Sequence, residues 1–416
     1  MSKAVSAKAS SVSGKTKAAA AVGSDGPFEP DLKRALDLVM KMMPIPGKSG
    51  EEREIARFVT DTLRKAGVPA KAIVSDNAQE KAVIRGNQGN LILQLPGTVR
   101  GPRRMLTAHL DTVPLCVGCK PKRVGDVVRS SDPKTALGAD NRAGAAVLLN
   151  TALEIASRGL PHPPVTFCWF IQEEVGLYGA RNVQKSLLGN PKLVFNWDGG
   201  SASKLTVGAT GAYRLTIRVS GLASHAGVAP QKGVSAIAIA GLAIADLHRN
   251  GWHGQVVKPE GTGTSNVGVI QGGEATNVVT DHVAIRAEAR SHNPEFRKRI
   301  VDEIEAAFQR AAAEVRSVED RAGSIEFERR MDYESFELPA DEPCVLAAES
   351  AVQAVGLTPV RAISSGGLDA NWMTERGLPA VTLGCGQVAP HTVAEALDIR
   401  EYEHACRIGL RLATGT

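Results

Sequence analysis

Three short apolar runs, "RRMLTAHLDTV", "VTFCWFIQEEVG" and "KLVFNWDGG", constrain the fold of this chain more than any other feature. Short apolar runs between turn and charged residues read as strands, and "GNLILQLPG" adds another. A helical stretch, "GADNRAGAAVLLNTALEIASRG", opened by Asp140 or Asn141 and ended by Gly159, lies among them. Strands alternating with helices predict a largely parallel sheet covered on both faces. The second run poses a problem, because it ends in two adjacent glutamates, Glu173 and Glu174. Neighbouring carboxylates repel and are costly to bury unless a cation offsets their charge.

Upstream, residues 30–67 read as a helix, a break at "PIPGKSGEE", and a second helix opened by Ser49 with glutamates in its first turn. The texture changes near residue 212. "YRLTIRVSG" alternates strictly, the pattern of a half-exposed strand. A helix over 234–249, the strands "TSNVGVIQGG" and "HVAIRAEARS", a charged helix over 294–316 and a strand "SIEFERRM" follow. That succession is the ferredoxin-like order. After about residue 333 an Ala-rich helix, "PAVTLGCG" and a last helix from Ile399 return to α/β style. The expected organisation is a disordered tail (1–26), a catalytic domain in two parts (27–211 and 333–416), and a smaller α+β domain (212–332) inserted between them. There is no internal repeat.

Composition excludes several function classes. The net charge is +5, and the tail alone carries Lys3, Lys8, Lys15 and Lys17 against Asp25, so the body is close to neutral and gives no reason to expect nucleic-acid binding. The longest apolar stretch, "SAIAIAGLAIA", is too short to span a bilayer. Of six cysteines, only Cys116 and Cys119 in "CVGC" have metal or redox spacing, and a lone C-x-x-C is a weak signal. Scattered cysteines suit reduced thiols in the cytoplasm.

The chain has no G-x-S-x-G elbow, no H-E-x-x-H pair and no Walker A loop, and "GCGQVA" has too few glycines for a dinucleotide loop. Acidic and histidine residues instead recur at strand ends. "TAHLDTV" supplies His109 and Asp111, "GAD" supplies Asp140, "QEE" the two glutamates, "NWD" Asp198 and "APHT" His391. Taken singly, each has an ordinary reading as a core histidine, a cap or a solvated strand end. In a parallel sheet, however, strand carboxyl ends converge on one crevice. Two histidines with several carboxylates make a donor set for zinc or a similar transition metal.

The motifs "HLDTV", "GADNRAG", "EEVGLYGA", "SHAGVAPQKGVSAI", "GGEATNVV" and "SGGLDANWM" occur in the order of the di-zinc peptidase superfamily. That superfamily includes peptidase T (tripeptide aminopeptidase), glutamate carboxypeptidase, aminoacylase and succinyl-diaminopimelate desuccinylase. The chain resembles it over about residues 30–415, most closely its peptidase T-like branch. The resemblance implies a zinc-peptidase-like catalytic domain interrupted by a ferredoxin-like lid and dimerisation domain. It implies two divalent metal ions, zinc or alternatively cobalt or manganese, bridged by Asp140 and a water. His109 and Asp198 would complete one metal, Glu174 and His391 the other. Asp111 would hold the His109 ring through its second nitrogen, and Glu173 would serve as general base and then acid. His225 would reach the partner subunit's site in a homodimer, while Asn277 and Arg290 would hold a substrate carboxylate. Gln231 departs from the Glu often found there. The implied activity is aminopeptidase hydrolysis of short peptides. An N-acyl-amino-acid amidohydrolase or carboxypeptidase on the same metals, and a non-catalytic binding protein on this fold, are the alternatives.

Overall fold

The computed structural model describes residues 28–416. The expected disordered tail lies outside the described residues. Four parallel strands, Val165–Phe170, Arg104–His109, Leu193–Trp197 and Ala380–Leu383, form the middle of a nine-stranded sheet. Leu91–Leu95 flanks them antiparallel on one side, and Lys204–Ala209 does so on the other. Phe336–Glu337 and Val360–Ser364, neither apparent in the sequence pattern, also pair with Lys204–Ala209.

The apolar runs are continuous because both faces of the sheet are covered. Every residue of Val165–Phe170 is buried. Phe167 and Trp169 face a core shared with the helices Leu32–Met42, Arg53–Lys65, Ala139–Arg158 and Ile399–Thr414. Cys168 and Phe170 face a second core with Ala180, Val183, Ala370 and Met373. Alternate residues thus enter opposite cores, as the strand's period of two requires. The helix Ala139–Arg158 is buried almost throughout, and its small residues permit close packing. A Cβ on its Gly144 would come within 2.6 Å of the Trp197 carbonyl oxygen.

The starts of two helices depart from the simple capping pattern that their sequences suggest. The second helix begins at Arg53, not at Ser49. Ser49 instead donates its hydroxyl to Asp111 Oδ2 at 2.7 Å, a partner 62 residues away. In the long helix, Asp140 and Asn141 keep non-helical dihedrals, and Asn141 Oδ1 caps the regular turns by accepting the Gly144 N–H at 3.0 Å. Gly159 ends that helix in the left-handed region at φ 62°.

The second sheet is antiparallel, ordered Gly254–Lys258, Gly261–Gly272, His282–Ser291, Gly211–Ser220, Ser324–Tyr333. Without its first edge strand this is the ferredoxin-like arrangement. Leu215, Ile217 and Val219 point into a separate core under the helices Ala236–Arg249 and Pro294–Glu314. The intervening Arg214, Thr216 and Arg218 line the open face, where Arg214, Arg286, Glu288 and Arg330 border a cleft of about 700 Å³. The segment around "SGGLDANWM" clasps the two passages between the sheets. Asn371 Nδ2 donates to the Thr210 and Glu334 carbonyls at 3.1 and 2.7 Å.

Candidate metal centre

The carboxyl ends of the four central parallel strands deliver the acidic and histidine residues to one crevice. His109 ends its strand, Glu173 and Glu174 follow Phe170, Asp198 follows Trp197, and the Ala380–Leu383 strand leads on to His391. Left-handed backbone at Gln172 (φ 52°) and at His391 (φ 63°) turns both segments sharply, a conformation uncommon outside glycine.

Asp140 lies between the two histidines. Its Oδ1 is 3.2 Å from His109 Nε2, and its Oδ2 is 3.3 Å from His391 Nε2. Asp198 Oδ2 lies 4.0 Å from His109 Nε2, and Glu174 Oε2 lies 2.9 Å from His391 Nε2. Glu173 Oε2 is also 4.0 Å from His109 Nε2. Three donor groups result: His109 with Asp140 and Asp198, Asp140 with Glu174 and His391, and His109 with Glu173 and Glu174.

Asp111 explains how adjacent glutamates are placed. It is fully buried, and its Oδ1 and Oδ2 accept the backbone N–H groups of Glu173 and Glu174 at 3.0 and 3.2 Å. His109 Nδ1 lies 3.1 Å from the Asp111 carbonyl oxygen and 3.4 Å from its Oδ1. The nearer partner of the ring is therefore backbone, while the carboxylate mainly anchors the glutamate pair.

The crevice crowds carboxylates and imidazoles together, and their titration shifts accordingly. Burial, then the charge of Asp140, pushes Asp198 up to about 7. Burial also raises Glu173 and Glu174, and each raises further beside neighbouring carboxylates. Hydrogen bonds to Asp140 and Glu174 raise His391 to about 10, so the imidazoles are drawn toward carrying positive charge. Asp140, held between the two histidines, is instead pulled down, against the effect of its burial, by its hydrogen bonds to them, and imidazole nitrogen with carboxylate oxygen suits zinc, manganese or cobalt. The residues present fit a metal centre.

The residues expected on the smaller domain are placed differently. His225 and Asn277 are both exposed and adjoin on a two-stranded ribbon, Ser224–His225 paired with Val278–Val279. The Ala226 N–H donates to the Asn277 carbonyl at 2.9 Å. The Gly227 N–H donates to His225 Nδ1 at 3.2 Å, which puts the proton of the neutral ring on Nε2. His225 belongs to none of the three donor groups. Arg290 grips Glu288 with Nε–Oε1 and Nη2–Oε2 distances of 2.9 and 3.0 Å. Cys116 and Cys119 are free and buried. Burial raises both thiols, Cys119 to about 11, the opposite of a reactive thiolate.

A profile of the M20 family, described as "Peptidase dimerisation domain", matches residues 207–316, and one described as "Peptidase family M28" matches residues 90–226. The uncharacterized protein YqjE of Bacillus subtilis is 31% identical over 89% of this chain and 94% of its own length. Aminopeptidase PepT from Bacillus cereus superposes with a TM-score of 0.78 at 30% identity, covering 93% of this chain and 99% of that one. The chain belongs to the peptidase T-like branch of the M20 metallopeptidases. A tripeptidase from Staphylococcus aureus is similar at 29% identity and TM-score 0.82, covering 93% and 98% of the two chains.

Beyond the motif residues, this M20 chain adds supporting groups that its sequence pattern did not reveal. Glu395 is buried and accepts the N–H groups of Leu137, Gly138 and Asp140 at 2.8, 2.8 and 2.9 Å. Gln387, inside the "GCGQVA" run, donates from Nε2 to Asp140 Oδ1 and Asp198 Oδ1 at 3.3 and 3.2 Å. Asp369, in "SGGLDANWM", is a further buried carboxylate near the centre. Glu395 four residues after His391 was the one available local signal.

Proposed function

We propose that this protein is a metal-dependent aminopeptidase that hydrolyses short peptides at a centre of two divalent cations. The observation that carries this reading is the position of Asp140, with one carboxylate oxygen toward each histidine. His109, Asp140 and Asp198 would hold one cation, and Asp140, Glu174 and His391 the other. Bound there, zinc, cobalt or manganese would supply the Lewis acidity that polarises a carbonyl and acidifies a water.

The chain's own side chains divide the remaining work. Glu173 accepts the proton of the attacking water and returns it to the departing amine nitrogen as the C–N bond breaks. Asp111 holds the backbone of both glutamates, so the base and the ligand keep their relative positions. His225, with its proton on Nε2, donates to the developing oxyanion in the partner subunit's site. The smaller domain thus serves as both lid and dimer contact. Asn277 and Arg290 receive the peptide's carboxylate, for which Arg290 exchanges its pairing with Glu288. The guanidinium's planar fork suits either partner. The six buried free thiols support placement in the cytoplasm. Among the described residues, no helix is long and apolar enough to cross a membrane.

The test combines chelation with a panel of free-amine, N-acylated and C-amidated peptides. Chelation should abolish cleavage of free-amine peptides, and added zinc, cobalt or manganese should restore it. Activity that persists after metal is shown to be absent contradicts the reading.

A further inference from the structure

One buried carboxylate beside the centre has no partner. Asp369 is 2% exposed and begins the helix Asp369–Glu375. Its buried Oδ1 accepts no hydrogen bond, and among the described residues no cation pairs with the side chain. The other buried carboxylates around the centre that lie outside the donor groups each accept at least two hydrogen bonds, although both of those to Glu52 fall on Oε1 and leave its Oε2 unpartnered. Asp111 accepts from Ser49, Glu173 and Glu174. Glu52 accepts from Gly50 and Gln172, and Glu395 from three backbone N–H groups.

The location of Asp369 is as informative as its isolation. It is near enough to His109, Asp111, Asp198 and Glu174 to feel their charges, and Glu173 feels its charge in turn. It belongs to none of the three donor groups, so filling them with cations does not make it a ligand. The preceding Gly367 closes on Tyr333, whose ring carbon would lie 2.3 Å from an added Cβ. Tyr333 in turn packs against Leu177, in the turn that follows the two glutamates. Asp369 therefore sits where the two sheets meet, two residues beyond a close contact that leads to the glutamate turn.

An ionised carboxylate in such a place is costly without a cation or a donor. A peptide with a free amino terminus brings one. Its α-ammonium nitrogen is separated from the first carbonyl carbon only by Cα, so the two are about 2.5 Å apart from standard bond lengths and angles. The receptor for that ammonium must consequently lie close to the reacting centre, and the buried Asp369 is on the side of the sheet crevice where the glutamate turn packs. We propose that the Asp369 carboxylate binds the α-ammonium of the substrate's first residue and so sets the aminopeptidase direction. This inference rests on the peptidase reading above and supplies its specificity element.

The test compares trialanine with propionyl-dialanine, the same peptide with hydrogen in place of the ammonium. Both are offered to metal-loaded wild-type and Asp369→Asn protein. For trialanine, kcat/KM should fall by about 10²-fold in the variant, mostly through KM, the loss expected when one partner of a desolvated charge pair is removed. Propionyl-dialanine should lose far less than trialanine in the variant, since only the general base's surroundings change for it, and metal content by elemental analysis should be unchanged. An equal loss on both peptides, or loss of metal, overturns the proposal. If wild type cleaves neither peptide, the peptidase reading fails on its own. Calorimetric binding to Glu173→Gln and to Glu173→Gln/Asp369→Asn protein then decides the ammonium site. Trialanine should lose affinity with Asp369→Asn and propionyl-dialanine should not; equal affinities in all four pairings overturn it.

Discussion

Glu395 Oε1 accepts the backbone N–H of Asp140 at 2.9 Å, joining the residue between the two histidines to a carboxylate 255 positions away. Because Glu395 follows His391 by four residues, this bond ties the loop that carries one histidine to the aspartate that faces both. Its second oxygen takes the N–H groups of Leu137 and Gly138, so the turn before Asp140 is held at three points.

Removing that clamp should loosen the metal centre without unfolding the chain. Glu395→Ala is expected to weaken metal affinity by about 10–100-fold, the usual cost of losing a group that orients a ligand. Titration with zinc under competing chelator gives the affinity, and far-ultraviolet circular dichroism checks the fold. Unchanged affinity would mean that Asp140 is positioned by other contacts.

Glu173 and Glu174 share one backbone anchor and should separate by function. Glu173→Gln should keep metal near the wild-type level and nearly abolish turnover, since it removes a base and no proposed ligand. Glu174→Gln should lower metal occupancy. Elemental analysis after desalting decides the matter, and the opposite pattern would reverse the two roles.

The framework of this centre was legible in the sequence because it is local. His109, Glu173, Glu174 and Asp198 stand at the ends of apolar runs, and a central parallel sheet brings such ends together. Ser49 shows where local reading fails. Its position before glutamates matched a helix cap, but its hydroxyl went to Asp111, so the helix starts at Arg53. Glu395, Gln387 and Asp369 acquire their places through contacts between segments far apart in the chain, and short motifs do not encode such contacts. The resemblance assigned Arg290 to a substrate carboxylate, and the strand's two-residue period also puts Glu288 on the same face and within its grasp.

His225 lies outside the donor groups of its own chain, and its action is expected across a dimer. His225→Ala alone should lose about 10²–10³ in rate, the cost of removing an oxyanion donor. Mixed with Glu173→Gln and allowed to exchange subunits, it should recover activity. Each heterodimer then has one site lacking both groups and one intact site, so random mixing restores roughly a quarter of wild-type activity. Absence of recovery despite demonstrated exchange would confine His225 to its own chain or remove it from the mechanism.

The central claim is that Asp140 bridges two cations, and anomalous diffraction from crystals of the zinc-loaded protein tests it most directly. The account predicts two peaks roughly 3.5–4 Å apart, the spacing of two-metal hydrolytic sites. One should contact His109 and Asp198, the other Glu174 and His391, with one oxygen of Asp140 on each. A single peak, or two peaks with Asp140 bound to only one of them, would contradict it.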